Sequence, residues 1–155
     1  LEIGSYEGRS AIFFLKNFSD SNITCVDTWS GSDEHKDINF RLIEKNFDLN
    51  TSFYQLNNIL MKNKMTSNEF FKKNYNYFDL IFIDGDHSTD QIEIDLINSW
   101  NVLKKGGFLV IDDYMWWYYK DLKKNPSTPI NNFIKSNISN ISKLIVWHQV
   151  IIQKT

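Results

Sequence analysis

The sequence predicts an α/β fold: a Rossmann-like, doubly wound sheet, mostly parallel, with an antiparallel hairpin at its C-terminal edge. Three observations predict it. Short apolar runs alternate with longer amphipathic stretches, the pattern of strands separated by crossover helices. Residues 78–84 (Phe-Asp-Leu-Ile-Phe-Ile-Asp) are nearly continuous in apolar character, as a parallel strand covered on both faces requires. The last two apolar runs, 144–147 and 150–153, lie close enough to form a hairpin.

Each element follows in turn. Residues 1–4 (Leu-Glu-Ile-Gly) form the first strand, and a helix over 8–18 buries Ala11, Ile12, Phe14, Leu15 and Phe18. A second strand spans 22–27. Residues 33–57 show helical spacing at Ile38, Leu42, Ile43 and Phe47. A short third strand covers 59–65, and Ser67 caps a helix through Lys73. After the strand at 78–84, Ile92, Leu96, Trp100 and Leu103 recur at nearly 3.6 residues and mark a helix over 89–103. Lys104, Lys105, Gly106 and Gly107 end it, since cations suit the negative end of the dipole and glycine allows a left-handed exit. A fifth strand at 108–111 leads into Asp112 and Asp113. Pro126 and Pro129 flank a short polar stretch, and a helix is expected over 130–136.

Length and composition bound the function. A chain of 155 residues has room for one core. Its net charge of −2 offers no basic surface, so neither nucleic acid nor an anionic membrane is expected as a partner. Cys25 is the single cysteine, which excludes an internal disulfide or a cysteine-rich zinc site and points to a reducing, cytoplasmic setting. No apolar run approaches the roughly 20 residues of a membrane span. The chain starts with Leu1, already inside a strand. It therefore reads as a single domain over 1–155 whose N-terminus has been cut.

The residues suited to chemistry fall at strand ends. Glu2 to Ser10 joins a strand to a helix, with Gly4 placed for a turn and a close ligand approach, and Gly8 placed to open a helix whose free amides favour an anion. The Gly-x-x-x-Gly spacing departs from the dinucleotide fingerprint, and a plain strand-turn-helix would use the same glycines. Asp27 ends the second strand 23 residues after Gly4, the place from which an acid accepts ribose hydroxyls, or simply caps a turn. Trp29 covers an adenine or belongs to the core. Asp27, Asp84, Asp86, Asp112 and Asp113 share the carboxyl edge of the sheet. A divalent ion such as Mg²⁺ would offset that charge, and helix caps and backbone amides are the bland alternative. His87 is the histidine of that edge and, with a pKa near 6.5 when unperturbed, suits a general base. It could equally cap a helix or pack on a ligand. His35 and His148 look structural.

These motifs together resemble the class I S-adenosylmethionine-dependent methyltransferases. Glu-Ile-Gly-x-x-x-Gly-x-Ser at 2–10 is similar to their first motif and Val26-Asp27 to their second. The stretches at 78–87 and 103–114 look like the small-molecule O-methyltransferase branch, with its catechol-type and macrocin-type sugar enzymes. The resemblance implies a cofactor site at Glu2, Gly4, Ser5, Tyr6, Gly8 and Ser10, with Asp27, Thr28 and Trp29 beside the ribose and adenine, Ser67 near the adenine amine, and Asp84. It implies a metal held by Asp84, Asp112 and Asp113, with His87 or Asp86 as the base. The catechol-type branch has a lysine where this chain has His87, and the macrocin-type branch lacks the histidine. The implied activity is methyl transfer to a hydroxyl of a small-molecule acceptor. A homodimer is compatible with it, and family members carry N-terminal helices that this chain lacks.

Three rivals stand beside this reading. Asp-x-Asp-His could serve metal-dependent phosphoester hydrolysis, but His35 and His148 are poorly placed to complete such a site. The first loop disfavours a nicotinamide enzyme. A methyltransferase-like domain that binds cofactor or partner without catalysis would keep the loop and Asp27 and lose methyl transfer. Trp116, Trp117, Tyr118 and Tyr119 follow the Asp pair and either floor an acceptor pocket or pack against another chain or segment.

Overall fold

The computed structural model describes residues 1–155 except Asp33, Glu34, Lys36, Asp37 and Tyr119, and it describes Leu122 only by its backbone. The strands are β1 (Glu2–Ile3), β2 (Ile23–Asp27), β3 (Leu60–Lys64), β4 (Phe78–Ile83), β5 (Leu103–Ile111), β6 (Ile141–Val146) and β7 (Val150–Lys154). The helices are α1 (Arg9–Asn17), α2 (Phe40–Leu56), α3 (Ser67–Lys73), α4 (Thr89–Val102) and α5 (Ser127–Asn137). The strands form one sheet in the order β3-β2-β1-β4-β5-β7-β6. β1 to β5 pair in parallel, whereas β7 runs antiparallel to both β5 and β6. This is the doubly wound sheet with an antiparallel edge hairpin expected from the sequence.

Two cores cover the two faces of the sheet. On one, Ile92, Leu96 and Trp100 of α4, Phe70 of α3 and Ile130 and Phe133 of α5 pack on Ile81, Ile83, Leu109, Ile111 and Ile152. On the other, Ala11 of α1 and Ile43 and Phe47 of α2 pack on Ile23, Cys25 and Leu60. The continuous apolar character of β4 follows from this double cover, and Ile81, Phe82 and Ile83 are all buried.

Several local expectations are corrected. Phe18 lies just beyond α1, where the backbone turns extended, and is 50% exposed while stacking on Phe14. Helix α2 starts at Phe40 under an Asn39 cap, and the expected start at Asp33 lies outside the described residues. The cap of α3 is Thr66, not Ser67. Thr66 Oγ1 accepts from the Glu69 amide and Glu69 Oε2 accepts from the Thr66 amide, both at 3.1 Å, a reciprocal capping box.

The chain passes from α4 straight into β5, so Lys104 to Gly107 belong to the strand, not to a helix exit. Lys104 Nζ donates to both carboxylate oxygens of Asp79 on β4, at 3.0 and 2.9 Å. Gly106 is left-handed (φ +77°) where the β4–β5 register shifts. The cation at the α4 C-terminus arrives instead from β7: Lys154 Nζ donates to the carbonyls of Trp100 and Leu103 at 2.6 and 2.9 Å. Helix α5 extends further upstream than expected, with Pro129 in its first turn, where a missing N–H leaves no bond unmade.

Candidate active site

A cavity of about 590 Å³ opens at the carboxyl ends of β1, β2 and β4. Its position follows from the topology. The chain winds outward through β1, β2 and β3, then crosses back to β4, and the helices diverge at that switch. Among the sequence-predicted residues, Gly4, Tyr6, Asp27, Thr28, Ser67, Asp84, Asp86, His87 and Asp113 line it.

The loop after β1 is held from behind. Gly4 is left-handed (φ +83°), and a Cβ there would collide with the Asp84 carbonyl, so only glycine lets the loop cross the end of β4. Asp27 is first a clamp: Oδ2 accepts from the amides of Ser5 and Tyr6, both at 2.9 Å, and Oδ1 from the Trp29 amide at 2.7 Å. Trp29 Nε1 donates to the Tyr6 carbonyl at 2.8 Å.

Six predicted residues do not line the cavity. Trp29 belongs to the core: its ring is 4% exposed and sits 4.7 Å from that of Phe47, so it does not cover a ligand. Gly8 is left-handed at the start of α1, and its missing Cβ makes room for Thr51 and Phe47 of α2. Ser5 and Ser10 sit behind the loop. Glu2 lies fully buried below it, where Oε2 accepts from Cys25 Sγ at 3.4 Å and Oε1 is unpaired. Burial pushes the Glu2 carboxyl above its ordinary range, opposed by the polar side chains of Ser10, Ser5 and Cys25 beside it. The sixth residue is Asp112. Its Oδ1 accepts from the Asp113 amide at 2.8 Å and its Oδ2 from Gln149 Nε2 at 3.0 Å.

The opposite end of the cavity is ionisable. His87 Nε2 lies 3.1 Å from Asp113 Oδ2 and 3.8 Å from Asp84 Oδ1. One donor atom from each of these three residues falls within 4.8 Å of the others. The triad brought together is thus Asp84, His87 and Asp113. His87 stands where Asp112 was expected, because Gln149 and a local backbone bond turn Asp112 away. The His87 ring is buried, with the Trp116 ring 4.9 Å away at 31°. Burial pushes the Asp84 carboxyl up, the neighbouring His87 opposes this, and the charges of Asp112 and Asp113 add to the rise. Asp86 Oδ1 accepts from the Ser88 amide at 2.8 Å, an Asx turn that leads into α4, whose cap position is Ser88.

Sequence reasoning missed one wall. Thr66, Asn68, Gln91 and Asp95 line the cavity beside Ser67, and His35 and Phe40 close another side. Two signals were available. Thr66-x-x-Glu69 has capping-box spacing, and Gln91 and Asp95 stand four residues apart on one helix face. His35 gave none: its Nδ1 lies 2.9 Å from Ser32 Oγ in a loop whose path no periodicity marks. Met115 and Trp117 are exposed at 61% and 83%, while Tyr119 lies outside the described residues.

The Methyltransferase domain family matches residues 1–114, most of the chain and every strand that borders the cavity. The chain belongs to that family. Among curated proteins the methyltransferase sequence finds no match. Solved structures share its fold at low identity. An O-methyltransferase from Bacillus cereus in complex with SAH is 16% identical (TM-score 0.68), over 99% of this chain and 72% of that one. MycE from the mycinamycin biosynthetic pathway, in complex with Mg, SAH and mycinamycin VI, is 18% identical (TM-score 0.67), over 99% and 44%. A Clostridium thermocellum protein described as an rRNA-methylase is 12% identical (TM-score 0.70), over 99% and 88%. Such likeness concerns the fold. Among the described residues, no helix is long and apolar enough to cross a membrane.

Proposed function

We propose that this methyltransferase domain binds S-adenosylmethionine in its 590 Å³ cavity and transfers the methyl group to a hydroxyl oxygen of a small-molecule acceptor. The observation that carries the reading is the composition of one wall system. The glycine loop, the acid ending β2, the start of α3 and the Asp84–His87–Asp113 cluster face the same space.

The residues fit the cofactor. The cavity volume lies within the range of small-molecule sites. A carboxylate offers about four acceptor directions, three of Asp27's are taken, and one is left for a ribose hydroxyl. Gly4 keeps the loop flat against β4, and Ser67 stands at the rim where a base would end. When bound, S-adenosylmethionine supplies an electrophilic methyl carbon on a positively charged sulfur. The chain must then hold an oxygen in line with that carbon and exclude water.

Asp84 and Asp113 fit a divalent cation such as Mg²⁺, for which their carboxylates are hard oxygen ligands, with the His87 imidazole left out of the ligand set. Such an ion would polarise the acceptor hydroxyl. His87 is placed to take the hydroxyl proton, since its Nε2 faces the same point and Asp113 can stabilise the imidazolium that results. Asp86, tied to the Ser88 amide, holds the turn before α4. MycE and the Bacillus cereus relative, both solved with SAH, support the cofactor, and the magnesium of MycE supports the ion. The net charge of −2 favours a small molecule over RNA as acceptor.

Titration calorimetry with S-adenosylhomocysteine tests the reading. The wild type is expected to bind, and Asp27→Asn to bind at least roughly tenfold more weakly, because the added N–H₂ opposes the loop amides. No heat in the wild type would remove the cofactor. Methyl transfer from labelled S-adenosylmethionine, across a panel of sugar and catechol hydroxyls with and without chelator, then tests acceptor and ion.

A further inference from the structure

We propose that β6 is a self-association edge. A second copy of this chain lays its own β6 antiparallel beside it, across a two-fold axis at Ile145, and joins the two seven-stranded sheets into one. The proposal does not depend on what the cavity binds.

The two edges of the sheet are built differently. β3 carries Lys62 and Lys64, and Lys62 Nζ lies 2.9 Å from Glu44 Oε1 and 2.7 Å from Asp48 Oδ1 on α2. Charges of this kind keep an edge from pairing with another chain. β6 (Ile-Ser-Lys-Leu-Ile-Val) has a single charge, Lys143, and no proline. Among the described residues no strand pairs with its outer side. Its two faces are open as well. Ile145 on one and Val146 on the other are 50% and 46% exposed, and Trp147 just beyond is 73% exposed.

The backbone fixes the register. The Trp147 amide donates to the Gln149 carbonyl at 2.9 Å, and bonded residues alternate along an antiparallel ladder. Ile145 therefore bonds to β7, whereas Leu144 and Val146 turn their N–H and C=O outward. With the axis at Ile145, Leu144 of each copy meets Val146 of the other, and each such pair exchanges both of its backbone bonds. An axis at Leu144 would instead rest a bonded pair on Ser142, where the β6–β7 ladder is irregular. On the other face Ile145 meets its own copy, and Lys143 meets Trp147, whose ring attracts a cation. No like charges fall opposite one another. The strand is thus complementary to itself, as a closed two-fold contact requires. The exposed side chains from Lys143 to Trp147 amount to about 500 Å² per copy, so pairing covers about 1,000 Å², the lower bound for a specific interface, and suits micromolar association. No residue of β6 lines the cavity, so the joined sheet leaves it open.

Sedimentation equilibrium of the 155-residue chain between about 1 and 200 µM is the test. The mass is expected to rise from 18.4 kDa to twice that value and to stop there, since the pairing consumes the edge. Ile145→Lys sets two ammonium groups face to face on the axis, and Val146→Pro removes an outward N–H that β7 does not use. Both variants, shown to be folded by circular dichroism, are expected to stay monomeric throughout the range. Ile145→Cys is expected to cross-link as a dimer under mild oxidation. Leu144→Cys is expected to remain uncoupled, because its own copy stands two residues further along the strand. Cys25 is buried and does not compete. A wild type that stays monomeric, or grows beyond the dimer, overturns the proposal and leaves the edge to another segment or partner. So does a dimer that survives in either folded variant, or cross-linking of Leu144→Cys in preference to Ile145→Cys. If Val146→Pro does not fold, Ile145→Lys decides.

Discussion

The two ends of the cavity are built on opposite principles. At the β1–β2–β3 end, the polar side chains that line the cavity are tied to other parts of the protein. Asp27 takes three backbone amides, and Thr66, Gln91 and Asp95 close side-chain networks. At the β4–β5 end, two carboxylates and an imidazole face one another across a few ångströms, and Asp84 is driven upward by burial and by neighbouring acids. A surface already satisfied can recognise a ligand without rearranging, which is what a binding site needs. A crowded set of ionisable groups holds charge that a cation, a proton or a substrate can relieve, which is what a reacting site needs. The family relation gives the protein its class, and under the proposed function this asymmetry assigns binding to one half and reaction to the other.

The strongest way to break the comparison is Gly4→Ala, because Gly4 is where the two ends touch. The new methyl would press on the Asp84 carbonyl and would also ask alanine to adopt φ +83°. Binding of S-adenosylhomocysteine is expected to become undetectable, with a lower melting temperature. Retained affinity in a calorimetric titration would show that the loop is not where the ligand lies.

Asp84→Asn should separate the ends. Turnover is expected to fall by roughly a hundredfold or more, as for loss of a charged group acting at the reacting centre. Affinity for S-adenosylhomocysteine should change by less than about threefold, because the loop amides and Asp27 remain. With no cation bound, burial holds the Asp84 carboxyl above its ordinary 3.8, so protons compete with a cation there and cation binding should weaken as pH falls toward that range. An affinity that collapsed with the rate would mean one site, not two.

The two ends were unequally legible in the sequence. β4 was plain because double burial writes an unbroken apolar run, and Gly4, Asp27, Asp84 and His87 could be placed because each sits at a strand end. Trp29 was undecidable, since a large aromatic serves core and ligand alike and only its contact with Phe47 settles it. Asp112 and Asp113 are neighbours that a sequence cannot tell apart. The difference came from Gln149, 37 residues on, and from the left-handed backbone of Asp113 (φ +51°). Lys104 and Lys105 suggested a helix end because a cation there suits the dipole, yet Lys154 from β7 performs that role. Long-range partners of this kind leave no local periodicity.

A smaller effect probes the binding end through stability. The folded-state pKa of Asp95, about 6, exceeds its ordinary 3.8 because burial disfavours the charge. Its ionisation therefore costs the folded state nothing below pH 3.8 and progressively more as pH rises through 6. The full shift is worth about 3 kcal/mol at most. Asp95→Asn carries no such term, so its stability relative to the wild type should increase between pH 4 and pH 7.5. Chemical denaturation at several pH values measures the difference, and parallel curves would mean that Asp95 titrates normally.

The smallest expected effect sharpens the comparison most finely. Thr66→Ala removes the hydroxyl that caps α3 and leaves every group of the acidic end in place. Loss of such a cap costs about 1 kcal/mol. The helix it starts carries Ser67 and Asn68, so fraying of its first turn should weaken S-adenosylhomocysteine about two- to fivefold, the equivalent of that energy or less. Thr66→Ser keeps the hydroxyl and should restore both stability and affinity. Turnover at saturating cofactor is expected to stay within about twofold of the wild type, because His87, Asp84 and Asp113 lie on other elements. A fall in saturated turnover as large as the loss of affinity would show that the binding end and the reacting end move as one body.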